Sequence, residues 1–144
     1  MAVASNPQAR ASAASIEDIA QAVRPVVEDQ PDVMGLYLFG SQITDDKRPE
    51  SDVDLGVLFD PPGDLRRVVT LEDRLEQALG KHVDLVDMGR CKSFLASRIV
   101  AGERIYERDA LYCDRFDLYA LRRAGDLAHF ERERRRLVLQ HGAR

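Results

Sequence analysis

Residues 52–59 read Asp-Val-Asp-Leu-Gly-Val-Leu-Phe, and no other stretch constrains the chain as strongly. A strand turns successive side chains to opposite faces. Val53, Leu55, Val57 and Phe59 then share one face, and Asp52, Asp54, Gly56 and Leu58 share the other. Four large apolar side chains in a row must be covered, so this strand requires a layer packed beneath it. The same parity sends Asp52 and Asp54 out together, roughly 6–7 Å apart. Pro61-Pro62-Gly63 ends the run.

The neighbouring segments supply that layer and more strands. Ser15 is placed to cap a helix, with Asp18 three residues on and Ile16, Ile19, Ala20 and Val23 at helical spacing. Pro25 is expected to kink or end it, although Val26 and Val27 can continue it. Residues 34–39, an apolar run stopped by Gly40, suit a strand buried on both faces. Asp64 can cap a helix that runs to about Gly80, with Leu65, Val68, Leu71 (or Val69), Leu75 and Leu79 inward. His82–Asp87 reads as a third strand, Phe94–Val100 as a helix, and Arg104–Tyr106 as a short extended piece. A long helix follows from about Ala110. In it Cys113, Phe116, Ala120, Ala124 and Leu127 recur at spacings of three and four, and Leu118 and Leu121 form a second apolar stripe. The expected class is α/β (α+β): a small mixed sheet with helices against it and a long C-terminal helix.

Composition narrows the context. A chain of 144 residues suits one domain, taken as 15–144. Residues 1–14 have almost nothing to bury and read as a disordered tail. A hydrophobic fraction of 44% and a charged fraction of 32% fit a soluble, globular protein, and nothing approaches the roughly 18 apolar residues of a membrane span. Cys91 and Cys113 match no metal or disulfide spacing, which points to a reducing compartment, the cytoplasm. The net charge of −4 is unevenly spread: nine acidic and two basic residues lie between Glu28 and Asp60, but seven arginines and three acids between Leu121 and Arg144. Crowded carboxylates are costly unless cations are near. The arginines can meet an acidic partner or simply favour a helix end.

Asp52 and Asp54 would repel one another, and a divalent cation removes that penalty. On its own, Asp-x-Asp is more often a pair of solvent-facing aspartates. Gly40 and Ser41 alter the balance. Glycine at a strand end permits a sharp turn and close approach to a ligand, and a helical turn over 41–46 would offer free N–H groups to a phosphate. An ordinary serine-capped turn is the plainer alternative. Asp84, between Val83 and Leu85, must emerge on the open face or be paired. Asp87 has the opposite parity and ranks behind it.

Gly40-Ser41, ten residues, Asp52-x-Asp54 and a later Asp84 together resemble the nucleotidyltransferase superfamily of the DNA polymerase beta type. Within it the chain is similar to the minimal nucleotidyltransferase (MNT) antitoxins that partner HEPN-domain toxins. LYLFGS…SDVDLGVLF carries most of the resemblance; VDLVD and RIVAGERIYERD add to it, over about residues 16–110. The resemblance implies a polymerase beta palm-like fold. It implies Mg²⁺ or Mn²⁺ on Asp52, Asp54 and Asp84, with Asp84 also helping to activate the attacking hydroxyl. Gly40 and Ser41 would hold the β and γ phosphates of ATP, and AMP would pass to a tyrosine of a HEPN ribonuclease. The sequence departs from many relatives after Ser41, where Gln42-Ile43-Thr44-Asp45 replaces a basic, small, basic, Gly pattern and the basic residues fall at Lys47 and Arg48.

Two other functions are open to the sequence. One is a non-catalytic antitoxin that masks its partner through the C-terminal helix. The other is a small-molecule nucleotidyltransferase of the aminoglycoside type. Direct nucleic-acid binding by residues 132–136 is a minor reading, and an oligomer with the partner is compatible with all but the drug-modifying case.

Overall fold

The structure is a computed structural model and describes residues 15–40 and 52–141. Its elements run α1 (Ile16–Glu28), β1 (Val33–Phe39), β2 (Val53–Phe59), α2 (Leu65–Leu79), β3 (Val83–Asp87), α3 (Ser93–Val100), β4 (Glu103–Glu107) and α4 (Ala110–His141). The strands form one sheet in the order β3-β2-β1-β4. β1 lies antiparallel to β2 and to β4, while β2 and β3 are parallel. A parallel pair needs a crossover, and α2 provides it.

Ser15 caps α1 as expected, exchanging hydrogen bonds with Asp18. The helix passes through Pro25 and ends at Glu28, not at the proline. Burying Val27 against the sheet outweighs the one lost backbone bond. No basic residue sits in the last turn of α1. Arg108, from the far end of β4, supplies the missing charge by donating to the carbonyls of Val27, Glu28, Gln30 and Val33.

Asp64 caps α2 by accepting from the Arg67 amide, and the helix ends at Gly80. Leu71 and Leu75 are buried and Val68 and Leu79 pack beside them. Leu65 does not turn inward: it is 77% exposed, and Val69 is also exposed. Leu65 is the first residue of the helix. Arg67, half-turned into the chain, clasps Asp32 with two hydrogen bonds at 2.7 Å.

The sheet is covered on both faces, and the parity of β2 divides the core in two. Val53, Leu55, Val57 and Phe59 join Leu36, Leu38, Val83 and Leu85 under α1 and α2. On the reverse, Tyr37 and Leu58 meet Met88, Ile99 and Cys113 under α3 and α4. Among the described residues this face is covered along the middle of the sheet, while Asp52 at the start of β2 is exposed. Gly56 makes the closure possible, because a Cβ there would collide with Ile99 and Met88. Residues 104–106 prove to be an edge strand, with only intermediate burial that a sequence pattern barely records.

On α4, Cys113 and Ala120 are buried and Phe116 is packed beside them, whereas Leu118 and Leu121 face solvent. The two cysteines are free thiols. Among the described residues no helix is long and apolar enough to cross a membrane.

Candidate active site

The open end of the second face lies where β1 finishes and β2 begins. Phe39, the last residue of β1, is register-paired with Asp54. Gly40 follows with φ of 78°, in the left-handed region that glycine reaches without strain. A Cβ on Gly40 would run into the Asp54 carboxylate. The glycine is thus both a turn and the space that Asp54 occupies.

β2 begins at Val53, one residue later than the alternation predicts, so Asp52 sits just ahead of it. Asp54 is paired in parallel register with Asp84, which puts the two carboxylates on one face. Burial rises steadily along that face. Asp52 is exposed, Asp54 intermediate, and Gly56 and Leu58 are buried. Asp84 on the outer strand is exposed as well. Burial, then the Asp84 charge, then the Asp52 charge push the Asp54 carboxyl above its ordinary value. The neighbouring carboxylates thus add to the effect of burial at Asp54.

The tightest grouping is not the three aspartates. Donor atoms of Asp52, His82 and Asp84 all lie within 4.8 Å of one another. His82 precedes Asp84 by two residues, so strand parity alone puts them on one face; that was the legible signal, and the sequence reading passed over it. Carboxylate oxygens suit hard divalent cations, and an imidazole nitrogen widens the range to transition metals. The donor set fits a divalent ion.

Asp87 is excluded from this site. Register pairs it with Val57 on the other face. Its Oδ1 accepts from the Gly89 amide, and its Oδ2 lies 3.5 Å from Arg90 Nε, so it shapes the turn after β3. Ser41 and the atypical stretch 42–48 lie outside the described residues.

With this geometry in view, comparison with known proteins is informative. The family model for polymerase beta nucleotidyltransferases matches residues 21–111. Protein adenylyltransferase MntA of Thermococcus cleftensis is 33% identical over 85 residues, covering 59% of this chain and 86% of that protein. MJ0128 of Methanocaldococcus jannaschii is 30% identical over 91 residues, covering 63% and 93%. Among solved structures, the MNT antitoxin bound to a tri-AMPylated HEPN toxin of Shewanella oneidensis has the same fold, with a TM-score of 0.64 and 21% identity over 87% of this chain and 97% of that one. A toxin–antitoxin complex holding AMP-PNP gives a TM-score of 0.67 at 23% identity over 84% and 96%. The β1–Gly40 turn, the paired strands that carry Asp54 and Asp84, and the crossover helix all fall within the matched span, and the chain belongs to the polymerase beta nucleotidyltransferase family, among its minimal, MntA-type members.

Proposed function

We propose that this chain is an antitoxin that transfers AMP from ATP to a hydroxyl, a tyrosine, of a HEPN ribonuclease partner and so silences it. One observation carries the reading: Asp52, Asp54 and Asp84 converge at one sheet end beside Gly40, with the Asp54 carboxyl pushed up by burial and by the other two. The relatives support the substrates. MntA is named a protein adenylyltransferase, and the Shewanella complex pairs an MNT antitoxin with a tri-AMPylated toxin.

In this reading Asp52, Asp54 and Asp84 hold Mg²⁺ or Mn²⁺, and Gly40 and Ser41 lean on the β and γ phosphates. The bound metal would neutralise charge on the attacking and leaving oxygens. The acceptor oxygen attacks the α phosphorus, the bond from that phosphorus to the bridging oxygen breaks, and pyrophosphate leaves with the electron pair. The acceptor's proton passes to a carboxylate, for which Asp84, with a side chain 64% exposed, is open to an incoming protein. ATP and an RNA-cleaving partner belong together in the cytoplasm.

The test is incubation with ATP, Mg²⁺ and the protein encoded beside this one. The partner is expected to gain AMP mass, and the Asp52→Asn, Asp54→Asn double variant to transfer none while keeping its fold. Transfer undiminished in that variant would remove the metal assignment. A second reading, masking without chemistry, draws on Leu111, Leu118, Tyr119 and Leu121, which leave α4 with a solvent-facing apolar surface. Full silencing by the double variant, with no AMP on the partner, would favour masking.

A further inference from the structure

Resting on the metal reading of Asp52 and Asp84, we propose that His82 is a further ligand of that site, giving it a mixed oxygen–nitrogen donor set. The backbone fixes the residue there. The Val53 amide donates to the His82 carbonyl at 3.0 Å, locking His82 beside the start of β2. Its Nε2 lies 3.8 Å from Asp84 Oδ1. That is too long for a hydrogen bond. It is within reach of a shared ion, because two donors each about 2.1 Å from one cation lie at most about 4.2 Å apart. Slight rotation of exposed side chains brings in Asp52, whose donor atom already lies within 4.8 Å of both.

The other ring nitrogen supports the assignment. His82 Nδ1 lies 3.6 Å from Glu76 Oε1, on the crossover helix α2. That distance is also too long for a hydrogen bond; a small rotation of the ring would close it, and a carboxylate bonded to the far nitrogen is the usual companion of a metal-binding histidine. Asp54 takes no part in this grouping and keeps its own place beside Gly40. The site then has two halves: Asp54 toward the strand turn, and His82 with Asp84 on the outer strand. Imidazole tilts the outer half toward Co²⁺, Ni²⁺ and Zn²⁺ relative to Mg²⁺.

The experiment is pulsed electron paramagnetic resonance on the full chain loaded with Mn²⁺ alone. The expected spectrum carries the ¹⁴N coupling of a directly bound imidazole, and His82→Gln abolishes it. The exposed position of His82 leaves circular dichroism unchanged in that variant. In parallel, displacement of Mn²⁺ by Co²⁺ and by Mg²⁺ is expected to show the Co²⁺ preference falling about tenfold or more in His82→Gln. Mn²⁺ bound without nitrogen coupling, or with coupling that survives His82→Gln, overturns the inference. An unchanged Co²⁺ to Mg²⁺ ratio does the same. If Mn²⁺ binding still depends on Asp52, shown by loss in Asp52→Asn, the carboxylate reading outlives that failure. If binding matches that of Asp52→Asn, both fall together.

Discussion

Two regions of this molecule each gather three carboxylates, and they resolve the repulsion in different ways. At the far end of the second face, Glu107, Asp114 and Asp117 surround Arg104, which bonds to all three. Tyr37 donates its hydroxyl to Asp117 and lies under the Arg104 guanidinium, 5.6 Å from ring centre to cation. One guanidinium of the chain itself bridges all three carboxylates, and Arg104 is held above its ordinary pKa by hydrogen bonds to them in spite of burial. At the near end, Asp54 carries a raised pKa, and its neighbours Asp84 and Asp52 raise it further. A built-in arginine makes a structural joint. The near end instead gathers Asp52, Asp54 and Asp84 beside a glycine turn, and burial contributes most to the raised pKa of Asp54.

Neutralising each end separates the two. Asp54→Asn is expected to cut AMP transfer by more than about 100-fold, since even outer-sphere partners of a metal command 10–100-fold. In metal-free protein the same change should raise the denaturation midpoint slightly, because repulsion is removed. A fall in both would place Asp54 in the structural class and break the comparison. Arg104→Ala is expected to cost about 2 kcal/mol in urea unfolding, less than a fully buried pair because Glu107 and Asp114 reach water, and to leave Mn²⁺ affinity within about threefold.

Gly40→Ala sharpens the contrast from the backbone side. A side chain at positive φ costs about 1–2 kcal/mol, and here the added carbon also displaces Asp54. Stability should fall by about that amount while transfer falls further, read by thermal unfolding and partner mass.

The smallest effect is in pH dependence. Arg67 holds Asp32 below its ordinary value of 3.8, so the stability from that pair is present above 3.8 and is lost as pH falls through the lowered value. Asp54 has the opposite sign: its pKa is raised, so a penalty sets in as pH rises through the raised value. Asp32→Asn should flatten the acid limb of the stability profile and cost about 1 kcal/mol at neutral pH. Asp54→Asn should remove the loss on its less acidic side. Acid titrations of the two variants that shift the same way would refute the assignment.

The placement of the candidate site's carboxylates on one face was legible because strand parity is a local rule. Asp52 and Asp54 follow from the alternation around Val53 and Leu55, and Asp84 from its place between two apolar residues of β3. Helix boundaries at Ser15 and Asp64 were equally local, since a cap is a contact over three residues. Leu65 departs from the expectation because helical spacing says which face a residue shares, not whether a first-turn residue on that face is covered. A kink or an end at Pro25 is the local expectation because its cost is visible in sequence, while the burial of Val27 that favours continuation to Glu28 is not.

The sequence alone determined the chemistry: two carboxylates on one face, a glycine at the end of a buried strand, and a third acid two strand positions beyond His82. Only the tertiary structure decided how these meet. Parallel pairing sets Asp54 against Asp84, and the Val53–His82 bond brings an imidazole beside Asp52. Packing of Ile99 and Met88 into the gap at Gly56 closes the rest of that face. Register and layer coverage are relations between distant segments, and their energy comes from burial that no local pattern contains.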